Sequence, residues 1–248
     1  MDRSLYIAMS GAKQNMMAQS IHTHNLANAT TVGFRADFEQ ARSMPVYGAT
    51  HPVRVYAMTE NPGTKFTPGG LISTGADLDV AIKGDGWIVV QDTDGQESYT
   101  RAGDLRLTST GQLLTGAGFP VMGNGGPVII PPFEKLEIGI DGTISIRAAG
   151  QSPSVLAEVN RIKLVNPDLA GLEKIPNGLF RNKDQTVAPL SDDVQLISGY
   201  LEDSNVNPVH SLTKILTLAR QFDIQVKLMK EAKQNDAAAA RLMHVTFS

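Results

Sequence analysis

The sequence predicts an α+β fold in which a long helix at each end of the chain flanks an antiparallel, all-β centre of sandwich or barrel-like form. Two proline-free stretches, residues 3–28 and 209–248, carry apolar residues at alternating steps of three and four, which is the period of paired helices. Between residue 77 and about residue 201, short runs rich in β-branched residues alternate with glycine-containing turns. That alternation is typical of antiparallel sheets.

The N-terminal helix is predicted over residues 3–28, and its apolar stripe is strongest in the first half. Asparagine and glycine after the stripe supply stop and turn signals. A phenylalanine that follows them is expected to anchor the exit of the helix. The candidate interface residues of this region are Leu5, Met9, Ala12, Met16, Leu26, Asn28, Gly33 and Phe34.

The C-terminal helix is predicted to begin at Asn207-Pro208, because asparagine is a good N-cap and proline is tolerated in the first turn. A helix over residues 208–244 would be about 55 Å long at ~1.5 Å per residue, longer than one small sheet can cover. Its candidate interface residues, at unbroken steps of three and four, are Leu212, Ile215, Ala219, Phe222, Val226 and Met229.

The β-rich centre contains one clear hairpin. Apolar residues alternate through 136–140 and 143–146 on either side of Asp141-Gly142, the dipeptide favoured in tight hairpin turns. We therefore predict four regions: an N-terminal helix and assembly segment (1–35), an extended linker (36–75), a β-rich domain (76–200) and a C-terminal coiled-coil helix (201–248).

Composition excludes several classes of protein. Apolar residues make up 42% of the 248 residues, enough for a sizeable core. The net charge is −3, so the chain has no general affinity for nucleic acid. It lacks cysteine, which excludes disulfides, thiolate zinc sites and thiol catalysis. It also has no apolar run of membrane-spanning length and no apolar core of a cleavable signal peptide near residue 1.

The two apolar stripes must be buried somewhere, and two arrangements are open. Both helices could pack on the β domain as in an ordinary α+β protein. Alternatively, the helices could pair with each other and with the helices of neighbouring copies. The stripes are narrow and have the period of a helix–helix seam, which favours the second arrangement. The sequence therefore predicts a self-assembling protein.

Three motifs resemble those of the rod, hook and filament-base proteins of the bacterial flagellum. The N-terminal one comprises residues 1–12, Asn25-Leu-Ala-Asn28 and Thr31-Val-Gly-Phe-Arg35. The central one comprises residues 78–86 and Tyr99-Thr-Arg-Ala-Gly103, and the C-terminal one Ser204-Asn-Val-Asn-Pro-Val209 with residues 219–223. They occur in the order expected of that family and bracket nearly the whole chain. Departures from the family pattern are His24, Leu105 and His210-Ser211.

The resemblance implies a structural subunit of the basal-body rod that polymerises through its terminal helices and transmits torque. The opening Met1-Asp-Arg and Arg35-Ala-Asp-Phe38 favour a proximal-rod member, with a distal-rod or hook-type relative as the alternative. The resemblance further implies export by the flagellar type III apparatus without a cleaved signal, and assembly in the periplasm. The implied partners are other copies and other rod proteins, with no nucleic acid, small-molecule substrate, cofactor or metal.

Chemical alternatives are weaker. Ser10-x-x-Lys13 has the spacing of penicillin-recognising enzymes, but Ser211-x-x-Lys214 repeats that spacing and no Lys-Thr-Gly element accompanies either. His22 and His24 do not share a helix face, and Asp77 with Asp79 is better explained as an acidic strand entry. The alternative from another class is a β-rich carbohydrate-binding or hydrolytic domain. Proteolysis would discriminate, because a rod-type monomer should leave a β core near residues 76–200.

Overall fold

The computed structural model describes residues 3–47, 52–148 and 156–245. It divides into two compact units. We call Met1–Ala27, Asp37–Gly63 and Asn207–Ser248 the helical unit, and Asn28–Ala36 with Thr64–Val206 the β unit. The Met1-Asp2 start of the N-terminal motif and residues 246–248 of the predicted C-terminal helix lie outside the described residues.

The described part of the helical unit contains two α-helices, α1 (Arg3–Ala27) and α2 (Pro208–Val245), as the sequence predicts. Asn207 caps α2, since its Oδ1 accepts a hydrogen bond of 3.0 Å from the His210 amide. The helices run antiparallel, because Gly11 lies against Gln225 while the His22 ring lies 6.4 Å from that of His210. With 38 residues against 25, α2 continues beyond the first residue of α1.

Two long strands follow α1 in the helical unit, β1 (Asp37–Tyr47) and β2 (Pro52–Thr64), and they form a two-stranded sheet. We call this sheet the hairpin. The sequence predicts an extended linker over residues 36–75, and the structure differs by pairing most of it. Four prolines between residues 45 and 68 make the sequence pattern unlike that of a strand, because proline is tolerated in sheets mainly on edge strands.

The described part of the β unit is built from short strands, most of two to six residues: β3 (Leu71–Ser73), β4 (Val80–Lys83), β5 (Trp87–Gln91), β6 (Glu97–Thr100), β7 (Leu105–Leu107), β8 (Leu113–Thr115), β9 (Met122–Gly123), β10 (Gly126–Pro127), β11 (Phe133–Ile138), β12 (Thr143–Ala148), β13 (Ala157–Arg161), β14 (Leu164–Val165), β15 (Leu172–Lys174), β16 (Phe180–Asn182), β17 (Gln195–Ser198) and β18 (Tyr200–Glu202). A single 3-10 turn, Leu169–Gly171, precedes β15.

These strands pair antiparallel in several small sheets. The largest has five strands in the order β14-β5-β6-β16-β15, and a three-stranded sheet has the order β11-β12-β13. The β11–β12 hairpin predicted at Asp141-Gly142 is confirmed. Leu136 pairs with Ile146 and Ile138 with Ile144, and Gly142 adopts the positive φ of 84° that the turn requires. Among the described strands no sheet closes into a barrel, so the barrel-like alternative is not adopted.

Two apolar clusters form the core of the β unit. The larger lies around the β11–β12 hairpin and β4, and includes Ile144 and Leu196. The smaller contains Trp87, Tyr99 and Phe180 with Phe66 packed against them. Ring centroids of Trp87 and Phe180 are 4.8 Å apart, so the single tryptophan reports on the packing of this unit.

The boundaries of the units differ from the predicted regions. Residues 28–36 belong to the β unit although they follow α1 directly, and the β unit also includes residues 64–75 and 201–206. These segments contain side chains that are buried, among them Phe34, Arg35 and Glu202, and Arg35 and Glu202 form an ion pair there.

We expect Ile144→Ala to lower the free energy of unfolding of the β unit by about 2–5 kcal/mol, because the side chain is fully buried and its removal leaves a cavity. Ile140→Ala is the matched control, since Ile140 is 67% exposed on the same hairpin. Urea unfolding followed by Trp87 fluorescence measures both. Equal midpoints for the two variants would contradict the assigned core.

Candidate assembly surface

Helix α1 contributes mainly small and polar side chains to the packing of the helical unit. The buried residues of α1 are Ala8, Ala12, Ala18, His22 and Asn25. A Cβ on Gly11 would lie 3.1 Å from Gln225 Nε2, so the helices approach closely at this point. Small residues permit this approach, but they bury little apolar area, and the pairing face therefore uses only part of the apolar surface of the helices.

The pairing face of α2 is shifted from the predicted one. Side chains that are buried or half-buried recur at alternating steps of four and three, at Ser211, Ile215, Leu218, Phe222, Gln225, Met229 and Ala232. The predicted stripe shares Ile215, Phe222 and Met229 with this set. Its other members stand one residue further along, which is about 100° around the helix.

The larger apolar side chains of both helices consequently face outward. Met9 and Met16 of α1 are 54% and 60% exposed, and Leu212, Leu216 and Val226 of α2 are 51%, 53% and 42% exposed. We call these five residues the outer stripes. They continue at helical spacing along each helix, and side chains of this size are usually buried. An apolar surface of this kind on a helix marks an interaction site.

The other predicted interface residues are divided between the two units. Ala12, Ile215, Phe222 and Met229 lie on the pairing face, and Leu5, Leu26 and Ala219 are half-buried in the helical unit. Asn28, Gly33 and Phe34 belong to the β unit. The structure therefore does not bring the predicted residues together as one seam.

The start of the hairpin is held against the C-terminal end of α1. Asn25 imitates a neighbouring strand, since its amide donates to the Asp37 carbonyl and accepts from the Asp37 amide, both at 2.9 Å. His22 Nε2 lies 3.0 Å from Glu39 Oε2, and His24 Nδ1 lies 2.8 Å from Asp37 Oδ2. His24, which departs from the family pattern, thus pairs with Asp37.

In the β unit, arginines from the N-terminal and central motifs meet at one buried carboxylate, which lies just before the C-terminal motif. Glu202 Oε1 lies 2.5 Å from Arg35 Nη1, and Glu202 Oε2 lies 3.0 Å from Arg101 Nη1. Arg35 and Glu202 are 1% exposed. Burial lowers the pKa of Arg101 from its ordinary value and Arg35 adds to this, while Glu202 opposes it. The sequence signal for Glu202 is weak, because it stands two residues before the motif beginning at Ser204.

Backbone contacts complete this cluster. The Gly33 amide donates to the Glu202 carbonyl at 2.7 Å. Gly33 has φ +67°, and a Cβ there would lie 2.3 Å from the Arg101 carbonyl carbon, so no larger residue fits. Asn205 accepts from the Ala36 amide at 2.7 Å and donates to the Lys65 and Thr67 carbonyls at 2.7 and 2.8 Å. The segment that follows α1, the segment that follows β2 and the segment that precedes α2 are therefore held together at one place in the β unit.

Three family models match the chain: "Flagella basal body rod protein" at residues 5–35, "Flagellar hook protein FlgE/F/G D1 domain" at 81–146 and "Flagellar basal body rod FlgEFG protein C-terminal" at 197–242. Flagellar basal-body rod protein FlgF of Salmonella typhimurium is 38% identical over 99% of this chain and 100% of its own length. FlgF of Caulobacter vibrioides is 34% identical over 98% of both chains. Flagellar basal-body rod protein FlgG of Bacillus subtilis is 31% identical over 92% of this chain and 94% of its own length.

The chain belongs to the flagellar basal-body rod protein family. It is a structural subunit of the rod, and the sequence-based interpretation of the three motifs is confirmed. The matched segments overlap the features described above: the first contains most of α1 and Arg35, the second contains Arg101, and the third contains most of α2 and Glu202.

The motifs that suggested chemistry lie on the two helices and just before β4. Ser10 and Lys13 lie on α1, and Ser211 and Lys214 on α2. Asp79 forms an isolated bridge with Asp104, where burial and the nearby Asp79 raise the pKa of the Asp104 carboxyl. In the described ranges no group of three His, Cys, Asp or Glu side chains could hold a metal ion. No described helix is long and apolar enough to cross a membrane.

We expect Ala18→Leu to destabilise the helical unit by about 1–3 kcal/mol, because Ala18 is 1% exposed and a larger side chain overpacks the close approach of the helices. Ser20→Leu adds the same side chain at an exposed position of α1 and is the control. Thermal unfolding followed by circular dichroism at the helical band measures the difference. Equal stability of the two variants would exclude Ala18 from the pairing face.

Proposed function

We propose that the chain is a subunit of the proximal rod that polymerises through the outer stripes of its paired terminal helices. The observation that carries this proposal is the choice of side chains for each role. Helix α1 pairs through alanine, glycine and polar groups, and α2 adds Ile215, Leu218, Phe222 and Met229, while Met9, Met16, Leu212, Leu216 and Val226 stay exposed. In a monomer about half of each of these side chains meets water, so burial by a neighbour gains only part of the roughly 1.5–3 kcal/mol for a fully exposed side chain.

Methionine suits the contacts proposed for α1. Met9 and Met16 stand seven residues apart on one face, and Met17 beside them is 48% exposed. Methionine side chains are flexible and adapt to surfaces of different shape. A subunit inside a helical polymer contacts several neighbours that are not related by one symmetric interface, so adaptable side chains are favoured there.

The proximal position is supported by the relatives. FlgF of Salmonella typhimurium, at 38% identity, aligns over 99% of the chain, whereas FlgG of Bacillus subtilis, at 31%, aligns over 92%. A distal-rod position is the alternative within the family.

We further propose that other copies and neighbouring rod proteins are the partners, and that the chain reaches the periplasm through the flagellar export apparatus without a cleaved signal. Torque transmission then follows from its place in the rod. The proposal includes no catalytic group or cofactor.

We expect Val226→Asp to prevent incorporation into the rod while both units stay folded, because Val226 is 42% exposed in the monomer and the new charge becomes buried only in the polymer. Thr217→Asp places the same charge at an exposed position on another side of α2 and should leave assembly intact. The measurement is complementation of a strain lacking the gene, scored by swimming and by electron microscopy of purified basal bodies. Swimming restored fully by Val226→Asp would exclude this stripe as an interface.

Phe222→Asp should behave differently. Phe222 is half-buried on the pairing face, so the charge should separate α1 from α2 in the monomer itself. We expect a loss of helical signal in circular dichroism for Phe222→Asp and unchanged helical signal for Val226→Asp. Trp87 fluorescence, which reports on the β unit, should be the same in both. The same loss of helix in both variants would show that the two faces are not separate.

A further inference from the structure

The segment Gly33-Phe34-Arg35 occupies a groove built by residues 64–206. Its floor is formed by the Arg101-Ala102 backbone, against which Gly33 packs. Lys174 closes one side: its Nζ lies 3.9 Å from the centre of the Phe34 ring and donates to the Arg35 carbonyl at 2.8 Å. Phe34 and Arg35 are 8% and 1% exposed. A loop that only connects two elements does not bury three consecutive residues in this way.

The charges in the groove depend on the segment. Glu202 is buried between Arg35 and Arg101, and its Oε1 also accepts from the Gly69 amide at 3.0 Å. Arg101 Nη2 donates to the Gly84 carbonyl at 2.8 Å. Withdrawal of Arg35 would remove one of the two counter-ions of Glu202 and open the site that Phe34 fills. A buried charge that loses a partner destabilises a fold strongly.

We propose that this groove is a binding site for the Gly33-Phe34-Arg35 segment, with Glu202 as the receptor carboxylate, and that its occupancy decides whether the β unit is stable. Segment and receptor are far apart in the chain, since Arg35 and Glu202 are separated by 167 positions and Ala36 and Asn205 by 169. The β unit therefore gains its full stability only in a chain that extends past Asn205. It also follows that a deletion of residues 1–35 removes the occupant of the groove.

Hydrogen exchange on the unaltered protein is the first test. The Gly33 amide donates to the Glu202 carbonyl, the Ala36 amide to Asn205 Oδ1 and the Val89 amide, in the central sheet, to the Lys163 carbonyl. If docking is part of the cooperative fold, Gly33 and Ala36 exchange within about tenfold of Val89, through global unfolding. Exchange at Gly33 and Ala36 more than about 100-fold faster than at Val89 would show a segment that opens locally, and would overturn the proposal.

Matched variants of the full chain are the second test. Gly33→Ala introduces a clash with backbone, whereas Gly70→Ala places the same methyl group in open space. Glu202→Gln removes the receptor charge, and Glu173→Gln removes a carboxylate that is 45% exposed on the same unit. We expect Gly33→Ala and Glu202→Gln to lower the urea midpoint of the Trp87 transition by about 1 M or more, and the two controls to leave it within ~0.3 M. Midpoints of Gly33→Ala and Glu202→Gln that match those of the controls would overturn the proposal.

Trypsin provides a readout specific to the segment. The Arg35–Ala36 bond should resist cleavage in the unaltered protein while the bond after the exposed Arg42 is cut. In Glu202→Gln, cleavage after Arg35 should become at least about tenfold faster, with cleavage after Arg42 unchanged. Equal resistance after Arg35 in Glu202→Gln and in Glu173→Gln would mean that the carboxylate does not hold the segment. None of these readouts depends on rod assembly, so they can fail or succeed independently of the proposed function.

Discussion

The carboxylate of Glu202 joins segments that lie far apart in the sequence, and the organisation of the β unit depends on it. Two guanidinium groups share this single buried acid. A buried ion pair rarely stabilises a fold more than packed apolar residues would. Each of the three segments supplies one of the charges that meet at this acid. Here the ion pairs hold the segment that follows α1 and the segment that precedes α2. An apolar contact would hold these segments less specifically.

A comparable division of labour exists between glycine and asparagine around the cluster. Gly33 is required by a positive φ and by contact with the Arg101 backbone, and Asn205 satisfies backbone groups of two other segments. Both residues belong to the motifs by which the sequence resembles the rod family. The motifs therefore include residues that hold segments of the β unit together, as well as residues of the two helices.

Much of the fold could be predicted from the sequence, because it depends on local periodicity. Both helices and the hairpin at Asp141-Gly142 follow from residue spacing and turn chemistry. The hairpin of β1 and β2 could not be predicted, since prolines interrupt its pattern. The cluster of Arg35, Arg101 and Glu202 could not be predicted either. It depends on contacts between residues separated by 167 and 101 positions, and charged residues are usually assigned to the surface.

The pairing face of the helices shows why periodicity predicts that a helix has a partner without identifying it. In α2 the same residues Ile215, Phe222 and Met229 belong to two stripes, one completed by Leu218 and Gln225 and the other by Ala219 and Val226. Both stripes have steps of three and four, so a pattern based on apolar residues selects the more apolar one. The structure uses the less apolar stripe for pairing within the chain. Of the more apolar stripe, pairing leaves Leu212 and Val226 exposed, and these are residues that we propose for contacts between chains.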